Sequence, residues 1–497
     1  MTRWFRQTLG WTVEVFAAIY ILRWVVIQLR RVILFPTSDA TPRITSADIV
    51  PCMRRLIISD LHWGGGDRLD DFVADDELTD FVRHYAIRDE PVELILAGDT
   101  FEFLQVRVPG LGDYDWSSEA AERRLSTILS AHPKPVAALR DFITHPGNQL
   151  TFLIGNHDFE LHYAIAKRLL RHALGVGETD ERVRFGISYE GGGIYLEHGN
   201  QFDGWNRFVH FEGISEPFEV VRGTRVVKDV INPLEDDPLD IAPLVDNIKP
   251  TSALYWYMLS LPRLRKPEVR RFVARAHLLL LRSVAFPATY RTRPVLEVRE
   301  ELLGAPGETL QRELALQAVY ESDSELRQAA AANHGGVEPE IRLRKRDVLL
   351  PSALVQAFTR RIGRHRGQPD AVLEDIEQEA ERQLQNEIRE FKGVVARSMA
   401  RIAAGPDHGH NTLFVCGHTH LGQIVELNSR QMYINTGTWT TIVRDVVTRQ
   451  TDQHRFPFLD VQYPNHVVVP HGRLLLWQGG DQEPQPWEGV DEVTEDV

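Results

Sequence analysis

The chain has 497 residues, 70 of them acidic and 56 basic, for a formal net charge of -14. That balance argues against a function built on a broad basic face for nucleic acid, and the two cysteines, Cys52 and Cys416, exclude a disulfide-stapled scaffold and fit a reducing compartment. At roughly 150 residues per domain the length allows two or three domains.

The N-terminus comes first. Residues 9–29, LGWTVEVFAAIYILRWVVIQL, are mostly apolar and match the roughly 20 residues a bilayer-spanning helix needs, with Glu14 and Arg23 as interruptions. Arg3 and Arg6 precede the run, Arg30 and Arg31 follow it, and Trp4, Trp11 and Trp24 are spaced as interfacial anchors. Residues 1–35 therefore read as a membrane-associating helix that either spans the bilayer or lies in its interface, against the alternative of a helix buried on the main domain. No small-residue cleavage site follows the run, which disfavours a removed signal peptide. The arginines behind a spanning helix would hold the next domain on the cytoplasmic face.

From residue 54 onward a pattern repeats. RRLIISDLH ends in Asp60 and His62, VELILAGDTFEF in Asp99, and QLTFLIGNHD in Asn156, His157 and Asp158. GIYLEHGNQFD then reaches His198, and NTLFVCGHTH reaches His418 and His420. Short apolar runs bounded by glycine predict buried strands, and the stretches 76–89, 134–145 and 160–175 predict helices between them. Alternating strand and helix argues for an α/β sheet, in which ligands bind beyond the carboxyl ends of the strands. His408 and His410 have the same spacing as His418 and His420 but precede their strand, which places them on a surface loop at the opposite edge.

Carboxylates, imidazoles and one amide oxygen form a donor set for manganese, iron or zinc that needs no thiolate. Cys416 falls inside a strand and reads as a small buried residue. Asp60, His62, Asp99, Asn156, His198, His418 and His420 are more ligands than one ion takes, and two divalent ions about 3.5–4 Å apart fit them better. The glycines at 64–66 lack the lysine and spacing of a phosphate-binding P-loop and predict a flexible loop beside the metals.

Asp60-x-His62, Gly98-Asp99, Gly155-Asn156-His157-Asp158, His198-Gly199 and Gly417-His418-Thr419-His420 follow one another as in the calcineurin-like metallophosphoesterase superfamily, which this chain resembles over residues 54–203 and 412–440. The resemblance implies a two-sheet αββα sandwich. It implies that Asp60, His62 and His420 hold one metal and Asn156, His198 and His418 the other, with Asp99 bridging, and that a hydroxide between the metals attacks phosphorus. His157 would protonate the leaving group, with Glu102 or Asp158 orienting it. The absence of Asp-Arg-Gly after Asp99 departs from the phosphoprotein phosphatases, and Glu102 stands where purple acid phosphatases place a tyrosine. GDTFEF and HGNQFD look more like the UDP-2,3-diacylglucosamine hydrolase branch, although His157 replaces that branch's usual arginine.

These readings divide the chain into a core of residues 50–204 and 411–480, a mainly helical insertion at 205–410 forming a cap, and an acidic tail at 481–497 expected to be disordered. Within the insertion, 267–286, 308–332 and 371–404 have helical periodicity, and the aromatic patch at 252–262 suits a cap core or contact with lipid tails. The expected activity is hydrolysis of a phosphate ester or pyrophosphate in a small-molecule or lipid-linked substrate at a membrane surface, with manganese foremost among the metals. The alternatives are a soluble nucleotide phosphodiesterase or nuclease, and a metal-free protein-interaction module.

Overall fold

Each apolar run forms a strand that stops where its polar cluster begins. The computed structural model describes residues 31–88, 90–236, 247, 267, 271, 274, 275, 278, 279, 291–294, 393–445, 450–452, 455–464 and 469–487. The strands in the first half are β1 (Arg31–Ala40), β2 (Arg54–Ile58), β3 (Val92–Ala97), β4 (Gln149–Leu153), β5 (Val183–Gly186), β6 (Ser188–Gly191), β7 (Ile194–Glu197), β8 (Gly213–Glu216) and β9 (Arg291–Pro294). Then come β10 (Leu413–Cys416), β11 (Gln423–Asn428), β12 (Gln431–Asn435), β13 (Ile442–Asp445), β14 (Gln450–Asp452), β15 (Pro457–Gln462), β16 (His471–Leu476) and β17 (Gln485–Pro486). The helices are α1 (Asp75–Ala86), α2 (Ser118–Ala131), α3 (Pro133–Thr144), α4 (Ala164–Ala173), α5 (Arg222–Val226), a π-helical turn (Val227–Ile231), α6 (Asn232–Glu235) and α7 (residues 393–404).

Two sheets dominate, one of seven strands in the order β17-β16-β15-β2-β3-β4-β5 and one of five in the order β11-β12-β10-β7-β6. Side chains alternate across a strand, so each sheet feeds two cores. Ile57, Ile95, Leu153 and Leu459 of the first sheet meet Tyr189, Leu196, Val415 and Ile434 of the second. On the other face of the first sheet, Leu56, Leu94, Leu150 and Phe152 pack with Leu78, Phe81, Leu125 and Phe142 of α1 to α3. The outer face of the second sheet, through Tyr195, Phe414 and Tyr433, is covered by Val395, Ala396 and Met399 of α7. The layers run helix, sheet, sheet, helix.

Several expectations change. Helix α2 was not anticipated; its polar sequence hides a buried stripe of Ala120, Ala121, Leu125 and Ile128, and Ser117 caps it by accepting from Ala120 N at 3.2 Å. Residues 31–35 are not helical but begin β1, which pairs antiparallel with β8 and parallel with β9, in keeping with the run Arg31-Val-Ile-Leu-Phe35. Residues 9–29 lie outside the described residues, and among the described residues no helix is long and apolar enough to cross a membrane. Helix α7 is a layer of the core rather than part of a cap, because its apolar face covers the second sheet.

Of 267–286, the six described residues are helical; 252–262, 308–332 and residues 371–392 lie outside the described residues. Of the tail, residues 481–487 are among the described residues: β17 pairs with β16, Trp487 N donates to Leu474 O at 3.0 Å, and Arg455 lies 5.6 Å from the Trp487 ring.

Candidate metal centre

Strands β2, β3 and β4 are parallel neighbours in one sheet, and β7 and β10 are parallel neighbours in the other. Parallel pairing brings carboxyl ends to one edge, so the five polar clusters converge there. The loops leave these strands sharply. Asp60 (φ 53°), His62 (φ 51°), Asp99 (φ 50°), His418 (φ 69°) and His420 (φ 60°) all have left-handed backbone, and among the described residues Cys52 is the only other non-glycine that does. Such a conformation costs about 1–2 kcal/mol per L-residue, so the surroundings must impose it.

They do so through the backbone. Asp60 N donates to Gly98 O at 3.1 Å, His62 N to Asp99 O at 3.0 Å and Gly417 N to His198 O at 2.9 Å. The glycines before the ligands leave no room for a side chain. A Cβ on Gly155 would stand 2.1 Å from Asp99 Oδ1, one on Gly98 2.5 Å from the His198 ring, and one on Gly417 2.3 Å from Asp60 Oδ2.

The side chains then close on one another. His62 Nε2 and His420 Nε2 are 3.1 Å apart, and His420 Nε2 is 3.4 Å from Asp60 Oδ1. Asp99 Oδ2 lies 3.0 Å from His198 Nε2 and 3.9 Å from His62 Nε2, between the two halves of the cluster. Three sets of donor atoms fall within 4.8 Å of one another: Asp60, His62 and His420; Asp99, His198 and His418; and His62, Asp99 and His157. The first set holds the three residues expected on one metal, the second joins Asp99 to two of the three expected on the other, and the third includes His157, expected as the acid rather than a ligand. Asn156 Oδ1 is buried with no hydrogen-bond partner among the described residues, an orphaned oxygen of the kind a cation satisfies.

Second contacts decide which nitrogen faces the cluster. His62 Nδ1 donates to Glu102 Oε2 at 2.9 Å and His198 Nδ1 to Ala97 O at 3.0 Å, which turns both Nε2 atoms inward as potential ligands. His157 Nδ1 donates to the same Glu102 oxygen at 2.5 Å. Burial would raise the Glu102 carboxyl, but His157 and His62 outweigh it and hold the group down at about 2. Burial opposes ionisation of Asp99 as well, yet His198, His157 and His62 keep it well below the usual carboxylate range. His198 balances burial against Asp99 and is raised to about 9.

Asp158 is engaged by backbone amides. Its oxygens accept from Gly155 N at 2.6 Å and Thr100 N at 2.8 Å, so it braces the loops, and burial together with Asp99 raises it to about 7. Of the two residues expected to orient His157, Glu102 hydrogen-bonds its ring.

The sequence did not single out Asp203, whose Oδ2 lies 3.1 Å from His418 Nε2. Its signal in the sequence is the final residue of HGNQFD. Ser59 was also missed; its hydroxyl bridges Asp60 Oδ2 at 2.5 Å and Thr436 Oγ1 at 2.7 Å. In the glycine loop at 64–66, Asp70 accepts from Gly64 N at 3.1 Å and Gly66 N at 2.7 Å. His408 and His410 lie away from the centre, beside Glu190 of β6 at 2.8 and 3.7 Å. Cys416 is fully buried inside β10.

Residues 53–275 match the family model of the calcineurin-like phosphoesterases. His418 and His420 lie beyond that stretch and reach the centre through β10. No curated protein matches the chain. A solved structure of a dimetal phosphatase from Danio rerio is similar at 13% identity, covering 88% of this chain and 98% of that one, with a TM-score of 0.29. Over residues 53–275 the chain is similar to the calcineurin-like phosphoesterases, and this match supports reading it as a metal-dependent phosphoesterase.

Proposed function

We propose that the chain hydrolyses a phosphate ester or pyrophosphate bond at a centre of two divalent ions, with Asp60, His62 and His420 on one, Asn156, His198 and His418 on the other, and Asp99 between them. The observation that carries this is the 3.1 Å approach of His62 Nε2 to His420 Nε2 beside Asp60, since two ligand atoms about 2.1 Å from one ion lie at about that separation. Two such ions, manganese foremost with iron or zinc as alternatives, lower the pKa of water toward about 7 and neutralise charge at phosphorus.

The protein's part is positioning and proton transfer. With its Nδ1 proton committed to Glu102, His157 has Nε2 to hand a proton to the departing oxygen. Glu102, ionised at neutral pH, favours the charged imidazolium that does this. Because Glu102 touches His62 as well, one carboxylate sets both a ligand and the acid. Asp99 also accepts from His157 N at 2.8 Å, which fixes the acid's backbone to the bridging residue.

The substrate reading follows GDTFEF and HGNQFD toward a lipid-linked or nucleotide compound, and the arginines and tryptophans around residues 9–29 support work at the inner face of a membrane. Metal analysis of the purified chain, followed by assay of phosphomonoesters, diesters and nucleotide pyrophosphates with added manganese, tests the activity. A chain that binds no transition metal and cleaves none of these would sink the proposal. Deleting residues 1–35 should release the protein from membranes; sedimentation with them after deletion would refute the anchor.

A further inference from the structure

Beyond β7 and His198 the chain enters a loop braced by its own amides. It makes a short 3₁₀ turn, Asn200–Phe202, and Gln201 then spans the loop, donating to Phe208 O at 3.1 Å and accepting from Phe208 N at 2.9 Å. Asn200 Nδ2 donates to Asn206 O at 3.1 Å. Helix α5 holds the same loop from the other side. Gly223 N donates to Trp205 O at 2.8 Å, and a Cβ on Gly223 would stand 1.7 Å from Asn206 Oδ1.

The braced loop presents Asp203 to His418. Trp205 N donates to Asp203 Oδ1 at 2.9 Å and Asn206 Nδ2 to Oδ2 at 2.7 Å, and that second oxygen lies 3.1 Å from His418 Nε2. An ionised carboxylate can only accept, so the proton of the last contact belongs to Nε2. A neutral imidazole protonated on Nε2 keeps the lone pair of Nδ1 for a cation. This reverses the arrangement at His62 and His198, whose Nδ1 atoms donate to Glu102 and Ala97 O and whose Nε2 atoms face the cluster.

Asp203 acts from outside that cluster. His418 converges with Asp99 and His198, whereas Asp203, among the described residues, belongs to none of the three sets of donor atoms that fall within 4.8 Å of one another. The rings of His198 and His418 meet edge to face, with centroids 5.3 Å apart, so the orientation of His418 is shared with its neighbour.

We infer that Asp203 is a positioning residue for the second metal: it holds the proton of His418 on Nε2 and so makes Nδ1 the ligand atom, while α5 fixes where the carboxylate stands. The inference rests on the two-metal reading of the centre. It makes the start of the insertion part of the support of that metal, although none of its residues is a ligand.

The experiment strips the full chain with a chelator, titrates it with manganese and counts the ions bound and their affinities. Asp203→Asn keeps the size but puts an amide NH₂ where a donor must be met. It should weaken one of two ions by about 10- to 100-fold, the usual cost of losing a group that orients a ligand, and leave the other unchanged. In a His418→Ala chain, which already lacks the imidazole, adding Asp203→Asn should cause no further loss. An aspartate that only supports the fold would weaken binding in both backgrounds. Gly223→Ala, which forces Asn206 away from its place beside Asp203, should weaken the same ion by a smaller factor and serves if Asp203→Asn does not fold. Wild-type affinity for both ions in these variants, or a further loss on the His418→Ala background, would overturn the role of Asp203. A wild-type chain that binds fewer than two ions would instead overturn the two-metal reading beneath it.

Discussion

Glu102 Oε2 lies 2.5 Å from His157 Nδ1, and the same oxygen lies 2.9 Å from His62 Nδ1. A single buried carboxylate thus sets the orientation of a residue from the metal cluster and of the residue proposed as the acid. Glu102→Gln keeps the shape but replaces one acceptor with a donor. It should lower kcat by about 10- to 100-fold and weaken metal binding, because both imidazoles lose their fixed tautomer. Steady-state kinetics and metal analysis check this; unchanged kcat with full metal content would refute the shared role.

His157→Ala separates the acid from the ligands. Metal content should stay at the wild-type level, whereas kcat with a poor leaving group should fall by about 10²–10⁴, the usual worth of general acid catalysis. With p-nitrophenyl phosphate, whose leaving group needs little protonation, the loss should be much smaller. Equal losses on the two substrates would show that His157 does something other than donate a proton.

Gly155→Ala probes the packing beneath the centre. The added Cβ would stand 2.1 Å from Asp99 Oδ1 and 2.7 Å from Asp99 N, so the bridging carboxylate must move. Metal affinity should drop at least about tenfold, as when a residue that holds a ligand in place is disturbed. Titration of the chelator-stripped protein with manganese measures it, and wild-type affinity would show that Asp99 does not bridge.

His132 carries a pH signature independent of the metals. It stands 3.0 Å from Asp70 Oδ2 and 2.7 Å from Asp75 Oδ1, and these carboxylates overcome burial to raise it to about 9. A folded-state value above the unfolded value of about 6.5 adds stability that is complete below pH 6.5 and disappears as pH rises through about 9. The contribution is on the order of 3 kcal/mol. The gap in thermal midpoint between wild type and His132→Gln should therefore be widest near pH 6 and close by pH 10. A gap that does not change with pH would exclude the charged clamp on the glycine loop.

Much of the layout was legible in the chain itself. The runs before Asp60, Asp99, Asn156, His198 and His418 are continuous apolar stretches, and a strand buried on both faces leaves that local mark wherever it lies. The same logic placed His408 and His410 on the far side of β10. Helix α2 escaped because its buried stripe is made of small residues between charges, and Trp487 because one aromatic in an acidic tail sets no period.

What the sequence determined by itself is the kind of chemistry: the donor types, their order and their position just beyond the strands. Only the tertiary structure decided which of them meet. His62 and His420 are 358 residues apart in sequence, and the order of strands in two facing sheets brings their nitrogens to 3.1 Å. The left-handed backbone at five residues of the cluster, the hydrogen bond of His157 to Glu102 and the contact of Asp203 with His418 are likewise products of assembly. Periodicity is written over a few neighbouring residues and survives reading in one dimension. A contact between loops depends on the packing of every strand between them, and that packing is decided by burial across the whole fold.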